Sequence, residues 1–326
     1  MHNQSIHEFI IVGFTNIAHH QHLFFTLLLL LYFIVAAGTI IALFVILFDS
    51  RLHVPMYFFI FALCLSEIGI VTTVYPTLFT LILNGRTHIS FNYCLVQMYF
   101  FHSLIITENF LLNVIAYDRY IAICKALQYH AIMTIKSSKL FIAISWILGF
   151  ITPLPFLILV NQLPFCGPNE IQHLFCDSCP LLNLACANTD LTIILEFAMS
   201  SFTIILTSFS ITITYANIMA AIFKMKTSEE RKKAFSTCAS HFLIAFVFYG
   251  SVAVMYISLE THYSPEYDLA TAIHHSILTP LLSTLVYSFR NKLITNFLKR
   301  FFQQKGVFAG NILVSFVPEQ KASHRS

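Results

Sequence analysis

The chain has 326 residues, of which 57% are hydrophobic, 15% aromatic and only 10% charged. Soluble domains carry about 25% charged residues, so this composition excludes an ordinary cytosolic enzyme. The formal net charge of +3 is too small to indicate a nucleic-acid partner.

Seven long apolar stretches follow one another along the chain, and each contains at most one acidic side chain. Because about 20 apolar residues cross a bilayer as a helix, the sequence predicts an all-α integral membrane protein, a bundle of seven transmembrane helices in the lipid bilayer. The predicted spans, numbered in chain order, are residues 23–48, 54–83, 91–117, 140–160, 191–223, 234–259 and 269–289.

A short amphipathic helix is predicted after span 7, at residues 291–302. Its apolar side chains share one helical face and its cations lie away from that face, as in helices that lie on a membrane surface. The apolar set is Leu293, Ile294, Phe297, Leu298 and Phe301. The predicted organisation is a tail at 1–22, a seven-helix domain at 23–302 that includes this helix, and a tail at 303–326.

Positive charge lies mainly on one predicted side of the membrane. All of the 18 lysines and arginines except Arg86 and Arg119 lie in the connections after spans 1, 3 and 5 or in the C-terminal tail. The positive-inside rule then predicts an extracellular N-terminus and a cytoplasmic C-terminus.

The first tail has no cationic n-region and no cleavage-like site, so no removable signal peptide is expected. The sequon Asn3-Gln4-Ser5 falls on the predicted outer side, so we expect glycosylation at Asn3.

Five of the eight cysteines lie on the predicted outer side, at the start of span 3 and in the loop 161–190. That compartment is oxidising, so disulfides are expected, and the odd number leaves one thiol over. A zinc site is the competing interpretation. The spacing Cys176-Asp-Ser-Cys179 occurs alone, however, so neither a metal nor another cofactor is predicted. The five residues are Cys94, Cys166, Cys176, Cys179 and Cys186.

Two glutamates, Glu67 in span 2 and Glu108 in span 3, lie near the predicted middle of the membrane, where ionisable residues are costly. Two interpretations stay open: one carboxyl holds a proton or a cation neutralises the pair, or each is protonated and hydrogen-bonded to a neighbouring helix.

At the inner end of span 3, Arg119 either turns inward onto Asp118 and other polar groups, as a switch that a partner can engage, or extends to water.

Five motifs occur in order at the expected places. They are Phe-Ile-Ile-Val-Gly-Phe at 9–14, Leu-His-Val-Pro-Met-Tyr-Phe-Phe at 52–59, Ile-Ala-Tyr-Asp-Arg-Tyr-Ile-Ala-Ile-Cys at 115–124, Lys-Ala-Phe-Ser-Thr-Cys-Ala-Ser-His at 233–241 and Tyr-Ser-Phe-Arg-Asn at 287–291. With the cysteine-rich second outer loop, they make the chain resemble an olfactory receptor of the rhodopsin-like G-protein-coupled family, from about residue 9 to residue 302. The pattern is more similar to the tetrapod-expanded class than to the fish-like class.

The resemblance implies a plasma-membrane receptor of olfactory sensory transduction, without enzyme activity. It would bind an odorant and activate a heterotrimeric G protein of the olfactory stimulatory type, raising cyclic AMP. Disulfides are implied between Cys94 and Cys176 and between Cys166 and Cys186. The implied activation motif and its inner-end partners are Asp118, Arg119, Tyr120, Tyr215, His241 and Tyr287.

Three positions depart from the family pattern: Thr39, Glu67 and the pair Ser283-Thr284, which replaces an expected Asn-Pro. In the family these positions gather around a water or sodium site in the middle of the membrane. Without the second proline, span 7 keeps one more hydrogen bond and loses a kink. A poorly coupled receptor therefore stays an alternative.

The implied odorant site lies between the outer halves of spans 3, 5, 6 and 7. Four of its residues share one face of span 3, although such a stripe is also typical of bundle packing. The set is Met98, Phe101, His102, Ile105, Met199, Thr203, Tyr249, Val252, Tyr256, Ile273 and Ser276. Because none is Lys or Arg, we expect a small, neutral, largely apolar volatile. His102 would donate a hydrogen bond to the ligand or to a helix, or serve as a metal ligand.

Two other functional classes compete with a receptor. An ion channel or transporter would use Glu67 and Glu108 as an ion path, but no two-halves repeat of the kind found in many transporters is present. A membrane-embedded enzyme is not predicted, because the sequence contains neither His-Glu-x-x-His nor Gly-x-Ser-x-Gly.

Overall fold

The computed structural model describes residues 8–12, 21–166, 169–259 and 273–286, and most of these residues are helical. In chain order, the elements are β1 (Glu8–Val12), α1 (Gln21–Phe48), α2 (Pro55–Asn84), β2 (Arg86–Ser90), α3 (Phe91–Cys124), α4 (Tyr129–Ile132), α5 (Ile135–Ile151), α6 (Leu154–Gln162), β3 (Glu170–Ile171), α7 (Ser178–Leu182), α8 (Asp190–Lys224), α9 (Ser228–Leu259) and α10 (Thr279–Thr284). A π-helical turn, His274–Leu278, leads directly into α10.

Five segments of the described chain are long and apolar enough to cross a membrane. They are Phe25–Phe48, Pro55–Asn84, Phe91–Cys124, Ile135–Gln162 and Asp190–Lys224. The sixth predicted span falls in α9, where the apolar helical segment His241–Gly250 is shorter. Of the seventh predicted span, the structure describes residues 273–286, which are helical. The predicted amphipathic helix at 291–302 and the tail at 303–326 lie outside the described residues.

Two predicted spans differ from the helices that form. The fourth consists of two helices, α5 and α6, which meet at Pro153; a proline ring lacks the N–H that a continuous helix needs. The third continues beyond residue 117 to Cys124, and Ile121 in this extension is buried against the core. Asp118 and Arg119 consequently lie within a regular helix rather than beyond its end.

A three-stranded sheet lies at the predicted outer ends of the helices, so the described chain is mostly helical rather than all-α, and residues 8–12 of the predicted tail form a strand. The central strand β1 pairs antiparallel with β2, aligning Glu8 with Ser90, and parallel with β3, aligning Ile10 with Glu170. Phe9 and Ile11 of β1 are buried, as the two-residue period of a strand requires. The sequence hides this sheet because β1 is short and its partners are distant in the chain.

Buried side chains form two main clusters. The inner cluster joins α1, α2, α3, α8 and α9. The outer cluster joins the three strands to α2, α3, α6 and the loop that precedes α8. In the outer cluster the Phe9 ring packs against Phe91 and Phe165, with centroids 6.1 and 5.6 Å apart. The outer loop is thus part of the core and forms a fixed roof over the ends of the helices.

Candidate functional site

Two covalent links hold the loop that precedes α8. One disulfide joins Cys94, at the start of α3, to Cys176, with Cα atoms 5.3 Å apart. The other joins Cys166 to Cys186 within the loop, with Cα atoms 5.8 Å apart. Gln97 strengthens the first link, because its Oε1 accepts the N–H of Cys176 at 3.0 Å. These links fix the loop segment that follows Cys176 beside the outer half of α3.

The span 3 face predicted to line the odorant site packs partly against this loop. Met98 and Phe101 are buried in the outer cluster, and the Phe101 ring lies 4.6 Å from that of Phe175. His102 Nε2 lies 3.0 Å from Asp177 Oδ1, so its partner is the loop rather than a neighbouring helix. Among the described residues, no cluster of three or more His, Cys, Asp or Glu side chains could hold a metal ion.

A hydrogen-bonded chain at the outer end joins α3 to α8. Beyond the His102 contact, Asp177 Oδ1 accepts the N–H of Ser178 at 2.8 Å. The Ser178 hydroxyl donates in turn to Glu196 Oε1, at 2.5 Å. We call Asp177, Ser178 and Glu196, together with His102, the outer polar group. Sequence reasoning selected His102 but not its three partners; the signal available for them was Glu196, the single acidic residue within span 5.

Asp177 is ionised in this group. Burial by itself raises the pKa of the Asp177 carboxyl, but the hydrogen bond from His102, the charges of His102 and His173 and the Ser178 N–H outweigh burial. The net result lowers the pKa of Asp177 to about 2. The carboxylate therefore keeps its negative charge at neutral and mildly acidic pH.

The predicted lining of spans 5 and 6 is partly engaged in other contacts. Thr203 is buried, and its hydroxyl donates to the backbone carbonyl of Met199 at 2.8 Å. The Tyr249 hydroxyl of α9 donates to Asn109 Oδ1 of α3, which ties span 6 to span 3. The side chains of Val252 and Tyr256 lie outside the described residues.

The π-helical turn in span 7 changes which residues face inward. An α-helical count predicts that Ile273 lines the site, but its side chain is 38% exposed. Ser276, which is also predicted to line the site, is buried, as is His275, whose ring lies 5.2 Å from that of Phe248 in α9. A π-turn inserts one extra residue per turn, so any count made with the α period slips at this point.

The polar residues predicted for the middle of the membrane are all buried. Glu67 and Glu108 are 0% and 1% exposed, and Ser283 is 0% exposed. Thr39 and Thr284 approach each other with their hydroxyl oxygens 3.3 Å apart, which links α1 to α10. Spans 1, 2, 3 and 7 therefore all contribute a polar side chain to the interior.

At the C-terminal end of α3, Arg119 turns inward. Its Nε lies 3.0 Å from Asp118 Oδ2, its Nη2 contacts the same oxygen, and the residue is 8% exposed, so it does not extend to water. The Tyr129 hydroxyl in α4 donates to the other carboxylate oxygen of Asp118 at 2.9 Å. Sequence reasoning missed Tyr129, because a contact across a turn leaves no periodic pattern.

The other predicted switch residues lie around this pair. Tyr215 is buried and packs edge-on against Phe242, at 5.2 Å. His241 is buried in α9, and Tyr120 lies beneath the Lys125 ammonium group, 5.8 Å from its ring centroid. Tyr287 lies outside the described residues. Helices long and apolar enough to cross a membrane, with a buried ion pair at one end of the bundle and a disulfide-held loop over the other, define a multi-pass membrane protein.

The comparisons with known proteins agree with this class. The family model described as olfactory receptor matches residues 28–305. The chain is 41% identical to human Olfactory receptor 6N1 over 302 residues, covering 93% of this chain and 97% of that protein. It is 38% identical to human Olfactory receptor 6K3, covering 92% and 91%, and 35% identical to mouse Olfactory receptor 1M1, covering 92% and 96%. The chain belongs to the olfactory receptor family of multi-pass plasma-membrane, odorant-sensing G-protein-coupled receptors, which confirms the resemblance seen in its motifs.

Proposed function

We propose that this chain binds a small, neutral, largely apolar volatile between the outer halves of spans 3, 5, 6 and 7 and activates an olfactory-type stimulatory G protein, raising cyclic AMP. Seven spans form one bundle within a domain at 23–302 that includes the amphipathic helix 291–302, with the N-terminus outside and the C-terminus in the cytoplasm. The tails are residues 1–22, with glycosylation at Asn3, and residues 303–326.

The observation that carries this proposal is the continuity of α3. Its outer half bears His102, which contacts the loop roof, and its inner end bears the Asp118–Arg119 pair. At 1.5 Å per residue, about 24 Å of unbroken helix separates these two ends. A ligand that displaces the outer contacts therefore acts on the same rigid element that holds the inner ion pair.

The inner end offers a surface that a G protein can engage. Arg119 is occupied by Asp118, and Tyr129 holds Asp118 from the other side. Leu127, two residues before Tyr129, is fully exposed at the cytoplasmic end. In this proposal, activation releases Arg119 and Tyr129 from Asp118, and the G protein then contacts both Arg119 and the apolar Leu127 side chain.

One experiment separates the receptor from its alternatives. Cells expressing the chain are exposed to an odorant panel while cyclic AMP and membrane current are recorded together. We expect an odorant-evoked cyclic AMP rise that Arg119→Ala lowers at least tenfold, because the buried switch cation is lost. Arg51→Ala is the matched control, since Arg51 also pairs with an aspartate, Asp49 at 2.6 Å, but at the inner end of α1.

Each contrary outcome supports a different alternative to the proposal. An odorant-evoked current that survives Arg119→Ala would replace the receptor with the channel or transporter that uses Glu67 and Glu108. Odorant binding without cyclic AMP would indicate the poorly coupled receptor, with Thr39, Glu67 and Ser283 as the positions to examine. Equal losses in Arg119→Ala and Arg51→Ala would show that the switch assignment is wrong.

A further inference from the structure

The outer polar group stands at the top of the proposed odorant site. On α8, Glu196, Met199 and Thr203 are spaced by three and four residues, so they share one helical face. Glu196 is the outermost of the three. On α3, His102 belongs to the face that also carries Met98 and Ile105. The outer polar group therefore lies at the outer end of both helix faces, on α3 and on α8, that line the proposed site.

Three donors of the group are already bonded to its carboxylate oxygens. The imidazole of His102 and the N–H of Ser178 both bind Asp177, and the Ser178 hydroxyl binds Glu196. Both described bonds to Asp177 go to Oδ1, whereas a carboxylate accepts about four hydrogen bonds. Lower on α8, the Thr203 hydroxyl already donates to Met199. At this end of the site, a ligand therefore meets mainly hydrogen-bond acceptors, such as the carboxylate of Asp177.

The charged residues of the predicted outer loops also disfavour an acidic ligand. The loop 161–190 and the connection 260–268 contain no lysine or arginine, and each contains acidic residues. On the whole predicted outer side, Arg86 is the single Lys or Arg in the sequence. A ligand carboxylate would therefore meet the carboxylates of Asp177 and Glu196, and the groups beside them that can offset their charge are the imidazoles of His102 and His173, with no lysine or arginine in these two outer segments.

We propose that Asp177 and Glu196 make this receptor selective for odorants that carry a hydroxyl donor, namely alcohols, over ethers of the same shape and over carboxylic acids. This inference rests on the proposed odorant site. The ligand hydroxyl donates to one of the two carboxylates while its hydrocarbon part packs between spans 3, 5 and 6. An ether leaves a carboxylate desolvated without a new donor, and an acid adds a like charge.

The test uses matched triads of probes on several skeletons, for example 1-octanol, heptyl methyl ether and octanoic acid, with cyclic AMP as the readout. Hydrogen bonds to charged groups are strong enough that we expect each active alcohol to be about tenfold or more as potent as its ether. The acid is expected to be the weakest of the three. Surface receptor is measured with an N-terminal epitope, so that potency ratios are compared at equal amounts.

Two variants and one control assign the selectivity to the named residues. Glu196→Gln keeps the shape but supplies an amide donor and removes the charge, so the alcohol-to-ether potency ratio should fall about tenfold and the acid should gain. Asp177→Asn should also lower the alcohol-to-ether potency ratio and raise the potency of the acid. Asp190→Asn removes a carboxylate at the exposed start of α8, where Asp190 contacts Asn188, and should leave the ratios unchanged.

The outcomes distinguish this inference from the proposed function. Ethers as potent as alcohols, or ratios that Glu196→Gln and Asp177→Asn leave unchanged, would overturn the selectivity while the receptor stands. If no probe on any skeleton evokes cyclic AMP at normal surface levels, the proposed function itself fails. A ratio that Asp190→Asn changes as much as Glu196→Gln would show a general effect of outer charge and would also overturn the assignment.

Discussion

Replacing Cys94 with serine is expected to abolish the odorant response and to remove most of the receptor from the cell surface. The Cys94–Cys176 disulfide spans 82 residues of sequence, and loss of a native disulfide typically lowers the free energy of unfolding by about 2–5 kcal/mol. The same link places Asp177 beside His102, so the outer polar group would be lost with it. Flow cytometry of intact cells and odorant-evoked cyclic AMP measure the two effects.

The loop supplies the control for this prediction. Cys179→Ser changes a half-buried cysteine of the same loop that forms neither disulfide, and it should retain most surface receptor and response. Cys176→Ser should match Cys94→Ser, and the double variant should be no worse than either single change, because both remove one bond. If Cys94→Ser retained a normal response, the fixed roof over the helix ends would be refuted.

Gly149→Ala is expected to have the second-largest effect. A Cβ atom at residue 149 would lie 1.9 Å from Thr107 Oγ1 and 2.9 Å from the backbone oxygen of Ser103, so α5 could not stay in place against α3. Overpacking of this kind costs about 1–3 kcal/mol, and such losses change abundance several-fold. Thermal unfolding of purified receptor and surface expression are the measurements.

Gly250→Ala is the matched change for this test. An added Cβ at Gly250 meets no described atom within 4 Å, so this variant should keep wild-type stability. Thr107→Ala should partly rescue Gly149→Ala, because it removes the oxygen that the new methyl group meets. Equal unfolding temperatures for Gly149→Ala and Gly250→Ala would contradict the close approach of α5 to α3.

The sequence alone predicts the five helices that are long and apolar enough to cross a membrane, because each of these apolar stretches is local and longer than a bilayer crossing requires. It could not predict the sheet at the outer ends, since Glu8–Val12 pairs with strands far away in the chain. The break at Pro153 was signalled by proline itself, although the prediction treated 140–160 as one span. Local sequence signals thus locate the helices, whereas the sheet and the separation into two helices at Pro153 become visible only in the folded structure.

The candidate site shows the same division. The Asp118–Arg119 pair is adjacent in sequence, and its inward turn was one of two interpretations that the residues allowed. Tyr129 could not be predicted as its partner, because the contact depends on how the chain turns after α3. The π-turn beginning at His274 could not be predicted either, since a helical period carries no information about an inserted residue.

The central claim is that an odorant bound among the outer halves of the helices changes which protein binds the inner face. Its most direct test is odorant-evoked energy transfer between a donor on the receptor C-terminus and an acceptor on the stimulatory Gα subunit in intact cells. The account predicts transfer that rises with an activating odorant in the wild type, is raised without odorant in Tyr129→Phe, and is absent in Arg119→Ala. Odorant binding that leaves energy transfer unchanged in the wild type, or a rise of equal size in Arg119→Ala, would contradict it.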